Sequence, residues 1–338
     1  MNIGRTSTAV AAVAGAALLL TACGSSSDAA DGGGPTVVAS FYPLAFAAER
    51  VGGENVDVQN LTQPGAESHD LELTGQQVGQ VADADLVVYL HGFQPSVDAA
   101  VEQNAQDEAL DVGTLVDFAD HGDGGHEDES HAEHEGETHE DESHAEHEGE
   151  THEGESHEGH DHENLEGDPH IWLDPTIMVT ITESVADQLA ETDPDNAQTY
   201  RSNADALTEQ LRTLDQDFTT GLADCKQDMI VVAHEAFGYL ADRYGLRQVG
   251  IGGLDPEAEP SPERLAEVHD VVRAEGVTTI FYERLVSPDV AETLADDLGV
   301  EAAVLDPIEG RTDDTADQDY LELMRANLEA LRTANQCA

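Results

Sequence analysis

The sequence predicts an α/β protein of two lobes, each a parallel sheet flanked by helices, joined by a long spine helix. Three observations carry that reading. Apolar strands alternate with helical segments in both halves of the chain, the pattern of a parallel sheet with crossover helices. Residues 195–220 run for 26 positions without Pro or Gly, roughly 39 Å of helix at 1.5 Å per residue, long enough to lie alongside both lobes. The 338 residues also exceed what one core of ordinary size takes up.

The first lobe is expected over residues 36–194. Thr36–Ser40 (TVVAS) reads as a buried strand and Pro43–Val51 as a helix. Val56–Leu61 alternates like a strand, Thr74–Ala82 is a helix, and Asp85–Leu90 (DLVVYL) is a continuous apolar strand. A helix over Thr176–Glu191 is ended by Asp193-Pro194. The linking helix occupies residues 195–224. The second lobe, 225–338, repeats the pattern, with strands at Met229–Ala233 (MIVVA), Arg247–Ile251, Thr278–Tyr282 and Ala302–Leu305. Its helices are expected at Phe237–Tyr244, Pro262–Glu275, Ser287–Leu298 and Gln318–Arg332.

Before the lobes stands a secretory pattern. Arg5 precedes a small and apolar run from Ala9 to Leu20, then Thr21-Ala22-Cys23. A charged start, a run of this length and a small-residue cleavage site mark residues 1–22 as a signal peptide. The run is too short to remain as a membrane-spanning helix. Leu20-Thr21-Ala22-Cys23 is similar to a bacterial lipobox, in which Cys23 becomes the lipidated first residue. Residues 23–35 then form a flexible tether, which places the protein at the outer face of the cell membrane. Cys225 and Cys337 remain as a pair in an oxidising compartment and are read as a disulfide.

A net charge of −59 with a single lysine, Lys226, argues against nucleic acid and anionic membranes as partners and suits a protein that attracts cations. One insertion, with 19 acidic residues, carries about a third of that charge. Asp120–Glu163 holds 11 of the 16 histidines, no Lys or Arg, and a tandem HEDESHAEHEGET repeat at His126–Thr138 and His139–Thr151. Without apolar residues to bury, it is expected to be disordered. Its histidines His126, His131, His134, His139, His144, His147, His152, His157, His160 and His162 are candidate auxiliary ligands for divalent metal.

The other five histidines are His69, His91, His170, His234 and His269. His69 lies just before the helix at Thr74, and His170 sits in Asp168-Pro169-His170-Ile171-Trp172-Leu173-Asp174-Pro175. His234 follows the strand MIVVA, at the strand end where open α/β sheets collect ligands. Asp306 follows the strand AAVL in the same way. Three imidazoles with a carboxylate or water make a standard set for Zn²⁺. Asp168 and Glu283 are candidate hydrogen-bond acceptors behind those imidazoles. His91 and His269 read as structural or exposed, and Trp172 as a packing anchor of the lobe.

The successive motifs GAESHDLELT, DADLVVY, GDPHIWLDP, HEAFGYLADRYGL, GLDPEAEPSPERL, FYERLVSP and LDPIEG resemble those of the zinc- and manganese-specific solute-binding proteins of ABC transporters. The resemblance covers residues 36–332. It implies a metal site in the cleft between the lobes, with His69 and His170 from the first lobe and His234 from the second. Asp306 matches the family's second-lobe carboxylate, a manganese ligand in some members that water or another carboxylate replaces in zinc-specific ones. Some zinc members carry Glu immediately before the first histidine. Here Ser68 stands there and Glu67 one position earlier.

A histidine-rich loop belongs to the zinc branch of the family, and histidine rather than glutamate at position 234 favours zinc over manganese. The resemblance further implies a monomer that hands Zn²⁺ to an ABC permease and catalyses no reaction. A manganese or iron receptor of the same type, and a surface zinc buffer or adhesin, remain alternatives that share these ligands. A zinc hydrolase is disfavoured, since Gly238 stands where an HExxH motif starting at His234 needs its second histidine.

Overall fold

Short runs of β-branched and apolar residues pair side by side to make the first sheet of the computed structural model, which describes residues 34–121 and 167–338. Strands β1 (Thr36–Ala39), β2 (Asp57–Asn60), β3 (Leu86–Tyr89) and β4 (Ala109–Asp111) lie in the order β2-β1-β3-β4, every pair parallel. Val38 is level with Gln59 on one side and Val87 on the other. The central strands β1 and β3 are buried on both faces, which is why they read as unbroken apolar runs. Helices α1 (Tyr42–Gly52), α2 (Gly75–Ala82) and α3 (Pro95–Asn104) make the crossovers. Thr74 and Gln77 start α2 with a reciprocal capping box.

Helices α4 (Pro175–Thr192) and α5 (Ala197–Gly221) follow and pack along each other. The 25 residues of α5 span about 38 Å. The second sheet repeats the first, with β5 (Met229–Val232), β6 (Arg247–Gly250), β7 (Thr279–Tyr282) and β8 (Glu301–Val304) in the order β6-β5-β7-β8, again all parallel. It carries α6 (Gly238–Tyr244), α7 (Pro262–Glu275), α8 (Asp289–Leu298) and α9 (Tyr320–Ala334). Helix α5 touches α1 from the first half and α9 from the second, so it braces both sheets. One continuous apolar cluster runs from Val37 and Leu90 through Trp172 and Leu207 to Ile230 and Leu331.

Two elements escape the sequence reading. Helix α3 (PSVDAAVEQN) buries only Val97, Ala100 and Val101, too narrow a stripe to announce a helix, although Pro at its first position is a start signal. Strand β4 is three residues long and pairs only with β3. The signal peptide, Cys23, the tether as far as residue 33 and the candidate ligands from His126 to His162 lie outside the described residues. Among the described residues, no helix is long and apolar enough to cross a membrane.

Cys225 and Cys337 are joined as a disulfide, tying the end of α9 to the segment after α5. Trp172 is fully buried between the sheets, edge-on to Phe41 at 4.7 Å. Its indole N–H donates to the carbonyl of Pro307 at 2.7 Å, and the Tyr320 hydroxyl donates to the Trp172 carbonyl at 2.6 Å. Trp172→Phe is therefore expected to lower unfolding stability by about 2 kcal/mol, since the Pro307 carbonyl loses its donor and a gap is left. Denaturant titration reads this directly; a change below about 0.5 kcal/mol contradicts the anchoring role.

Candidate metal centre

The carboxyl ends of both sheets face a common junction, and four side chains meet there. His69 is carried by the loop between β2 and α2, His170 by the Pro-bracketed turn before α4, His234 by the second residue after β5 and Glu309 by the loop after β8. One donor atom from each of the four lies within 4.8 Å of the others. Glu309 Oε1 is 3.4 Å from His69 Nε2, 3.3 Å from His170 Nε2 and 3.4 Å from His234 Nε2. The Nε2 atoms of His170 and His234 are 3.3 Å apart. A tetrahedral ion with bonds of 2.0–2.1 Å has ligands separated by about 3.3 Å. Four of the six separations have that length.

The rings are held from behind. His170 Nδ1–H donates to Asp168 Oδ1 at 2.6 Å, and the same oxygen accepts the His170 backbone N–H at 2.9 Å. His234 Nδ1–H donates to Glu283 Oε1 at 2.6 Å. Both bonds fix the tautomer that leaves Nε2 facing the junction. His170, His234, Asp168, Glu283 and Glu309 are all buried. His69 is the most exposed of the four, and Phe93 packs edge-on against its ring at 4.7 Å.

Glu67 does not enter the cluster. Its two oxygens accept the backbone N–H groups of His69 and Asp70 and so shape the turn that presents His69.

Asp306 does not join the cluster either, and Glu309, three residues on, stands where the sequence reading put a carboxylate. Asp306 Oδ1 accepts the Ile308 N–H at 2.8 Å and Oδ2 pairs with Arg284 at 3.2 Å, so both oxygens are engaged away from the imidazoles. Ile308 adopts φ of +60°, an unusual conformation for a β-branched residue, and that turn carries Glu309 inward. The signal available in the sequence was a glutamate followed by glycine in a loop after a strand, Glu309-Gly310. His91 is half exposed beside Asp98, and His269 lies at the surface near Asp270. Asp174 caps α4 by accepting from Thr176.

The electrostatics follow from burial against charge. Burial raises Glu309, but hydrogen bonds from His170, His234 and His69 outweigh it and hold the carboxyl well below its usual range. Burial lowers His234, yet the Glu283 carboxylate and then Glu309 reverse this and push the imidazole up to about 10. His170 is likewise raised, burial being outweighed by Asp168. Asp306 is pushed up to about 6 by burial, which the Ile308 N–H and Arg284 only partly offset. An ionised carboxylate among three imidazoles therefore attracts cations and holds protons where a metal would bind.

Two parallel sheets whose carboxyl ends converge on a buried donor set, braced by one long helix, make the architecture of a two-lobed solute-binding protein. Residues 37–334 match the family described as zinc-uptake complex component A, periplasmic (ZnuA), and the chain belongs to that family. The zinc-binding protein AdcA of Streptococcus pyogenes is 35% identical over 308 residues, covering 89% of this chain and 56% of its own. The chain thus spans about half the length of that relative. The high-affinity zinc uptake system protein ZnuA of Bacillus subtilis is 32% identical over 308 residues, 88% of this chain and 86% of the relative. Among solved structures, the Zn(II)-bound ZnuA-like domain of Streptococcus pneumoniae AdcA superposes with a TM-score of 0.68 at 29% identity, covering 90% of this chain and 99% of that one.

Proposed function

We propose that this protein is a high-affinity extracytoplasmic receptor that binds one Zn²⁺ through His69, His170, His234 and Glu309 and delivers it to an ABC-type importer. The observation that carries the reading is the spacing of 3.3–3.4 Å between Glu309 Oε1 and the three Nε2 atoms. It suits a four-coordinate ion with nitrogen-rich ligands, whereas manganese prefers six oxygen-rich positions. A catalytic zinc keeps one position for water; four protein donors fill a tetrahedral shell, which favours a carrier over a hydrolase. The zinc-named relatives and the zinc-bound structural neighbour support the same cargo. Lipidation at Cys23 and contact of both lobes with a membrane permease belong to this reading, supported by the Leu20-Thr21-Ala22-Cys23 motif and by the family's place in uptake complexes.

The test is calorimetric. In the metal-free protein His234 is pushed up to about 10 and so holds its second proton at neutral pH, and His170 is raised as well, so zinc must displace at least the His234 proton to reach Nε2. Affinity is then expected to rise between pH 6 and 8 by about one log unit per pH unit for each proton displaced. Titrations at pH 7 in two buffers of different ionisation enthalpy count those protons. One-to-one tight binding with proton release supports the assignment; binding with none released refutes it. Restored zinc-limited growth of an importer-receptor deletion strain by this chain tests the delivery step.

A further inference from the structure

His121 stands at the start of the acidic, histidine-rich insertion, the last described residue on that side, and both of its ring nitrogens are engaged. Its Nδ1–H donates to Asp168 Oδ2 at 2.7 Å, and its Nε2–H faces Asp242 Oδ2 at 3.1 Å. Asp168 is fully buried and gives its other oxygen to His170. Asp242 lies on α6 of the second sheet and is largely exposed. An unbroken polar chain therefore runs from the surface of one half, Asp242 to His121 to Asp168, and ends on His170 in the other.

The surroundings are shaped to hold this ring. His121 stands edge-on to Tyr239 at 4.7 Å, and the Tyr239 hydroxyl accepts the Ala119 N–H at 3.0 Å. A Cβ placed on Gly238 would lie 2.3 Å from the His121 ring, so only glycine at the start of α6 admits it. The two ends of the insertion are pinched together beside it. Asp168 N–H donates to the Ala119 carbonyl at 2.8 Å, and Gly167, at φ of +124°, lets the two segments approach to a distance that a side chain would block.

We propose that His121 is a positioning residue for the metal centre: it clamps Asp168 against His170 and, through Asp242 and the face of α6, couples the posture of that imidazole to the contact between the two lobes. The proposal rests on His170 being a zinc ligand. Acceptors behind a metal-bound imidazole typically change affinity by about 10–100-fold when lost. His121 is one bond further out, yet it is the only side-chain partner of Asp168 Oδ2 among the described hydrogen bonds.

The full chain is titrated with zinc against a competing chelator at pH 7.5, and the His170 Nδ1–H resonance is followed by ¹⁵N-histidine NMR. His121→Phe, which keeps a ring but no donor, is expected to weaken zinc about tenfold and to move the His170 Nδ1–H signal upfield. His121→Asn returns an N–H toward Asp168 and is expected to restore most of both. A ring that merely filled space would be replaced by Phe without moving the resonance and would not be rescued by Asn; that result overturns the proposal. Asp242→Asn, at an exposed site, is expected to weaken zinc measurably; an unchanged affinity overturns the coupling to the second lobe. His170→Ala separates the two levels. If the wild type and His170→Ala bind alike, the metal-site reading itself fails, whereas tight binding lost in His170→Ala but kept in His121→Phe removes only the role of His121.

Discussion

Replacing His234 with Ala is expected to weaken zinc binding by about a hundredfold or more. Four-ligand zinc sites contribute roughly 10–16 kcal/mol, so one ligand accounts for about 3 kcal/mol, or two orders of magnitude. The substitution has a second effect that a surface ligand would not show. Glu283 is buried and accepts the His234 Nδ1–H at 2.6 Å. Without that ring it becomes an uncompensated buried carboxylate, and the metal-free fold is expected to lose about 3 kcal/mol. Carboxylate variants separate the two candidates for the fourth position. Glu309→Gln is expected to weaken zinc by at least tenfold, since the amide brings no charge to the three imidazoles. Asp306→Asn is expected to leave zinc affinity within a factor of about three, its oxygens being committed to Ile308 and Arg284. Competition titrations with a chromophoric chelator decide the matter; an Asp306→Asn loss as large as that of His234→Ala would return the metal to Asp306.

Why Asp306 looked right and Glu309 did not is a physical question. His69, His170 and His234 were legible because each stands at a local transition (a turn before a helix start, a pair of prolines, the end of an apolar strand) and because the motifs around them resemble those of a known family. The same strand-end rule nominated Asp306, directly after AAVL. What it misses is the backbone of Ile308. A positive φ in a β-branched residue runs against local preference, so no reading of local propensity anticipates the extra turn that brings Glu309 inward. The parallel sheets were legible for the opposite reason: strands buried on both faces are apolar throughout. Helix α3 and strand β4 cover the sheet edge with few buried side chains and left little pattern to see. His121 was hidden by its neighbours, one imidazole among the eleven of an acidic stretch, with nothing to separate it until Asp168 and Asp242 are seen on either side of its ring.

The largest effect on stability is expected from the disulfide. Cys225 and Cys337 are 112 positions apart, and opening a closed loop of that size frees the unfolded chain by about 4.7 kcal/mol on the chain-entropy account. For a protein of this size that corresponds to a melting temperature lower by about 10 °C. The native state holds the joint by other means as well. Ala338 N–H donates to the Asp224 carbonyl and Lys226 N–H to the Asn335 carbonyl, each at 3.0 Å. The Cys225→Ser and Cys337→Ser pair should therefore still fold and still bind zinc with unchanged affinity, because the bridge lies away from the four donor groups. Scanning calorimetry of the oxidised protein and the double variant tests this; a shift under about 3 °C would mean that the unfolded chain gains little freedom when the bond is absent.

Ser68 and Glu309 have a relation whose meaning is kinetic. The Ser68 hydroxyl donates to the Glu309 carbonyl at 3.1 Å, and Gly65 N–H donates to the Arg311 carbonyl at 2.7 Å. The residue that presents one imidazole is thus stitched to the backbone that presents the carboxylate, across the seam between the halves. These bonds tie the backbone that presents His69 to the backbone that presents Glu309, so the two are expected to move together. On the receptor reading proposed above, the dwell time of a bound ion would then follow how often the halves part, and a partner that pulls on both at once would release it in one step.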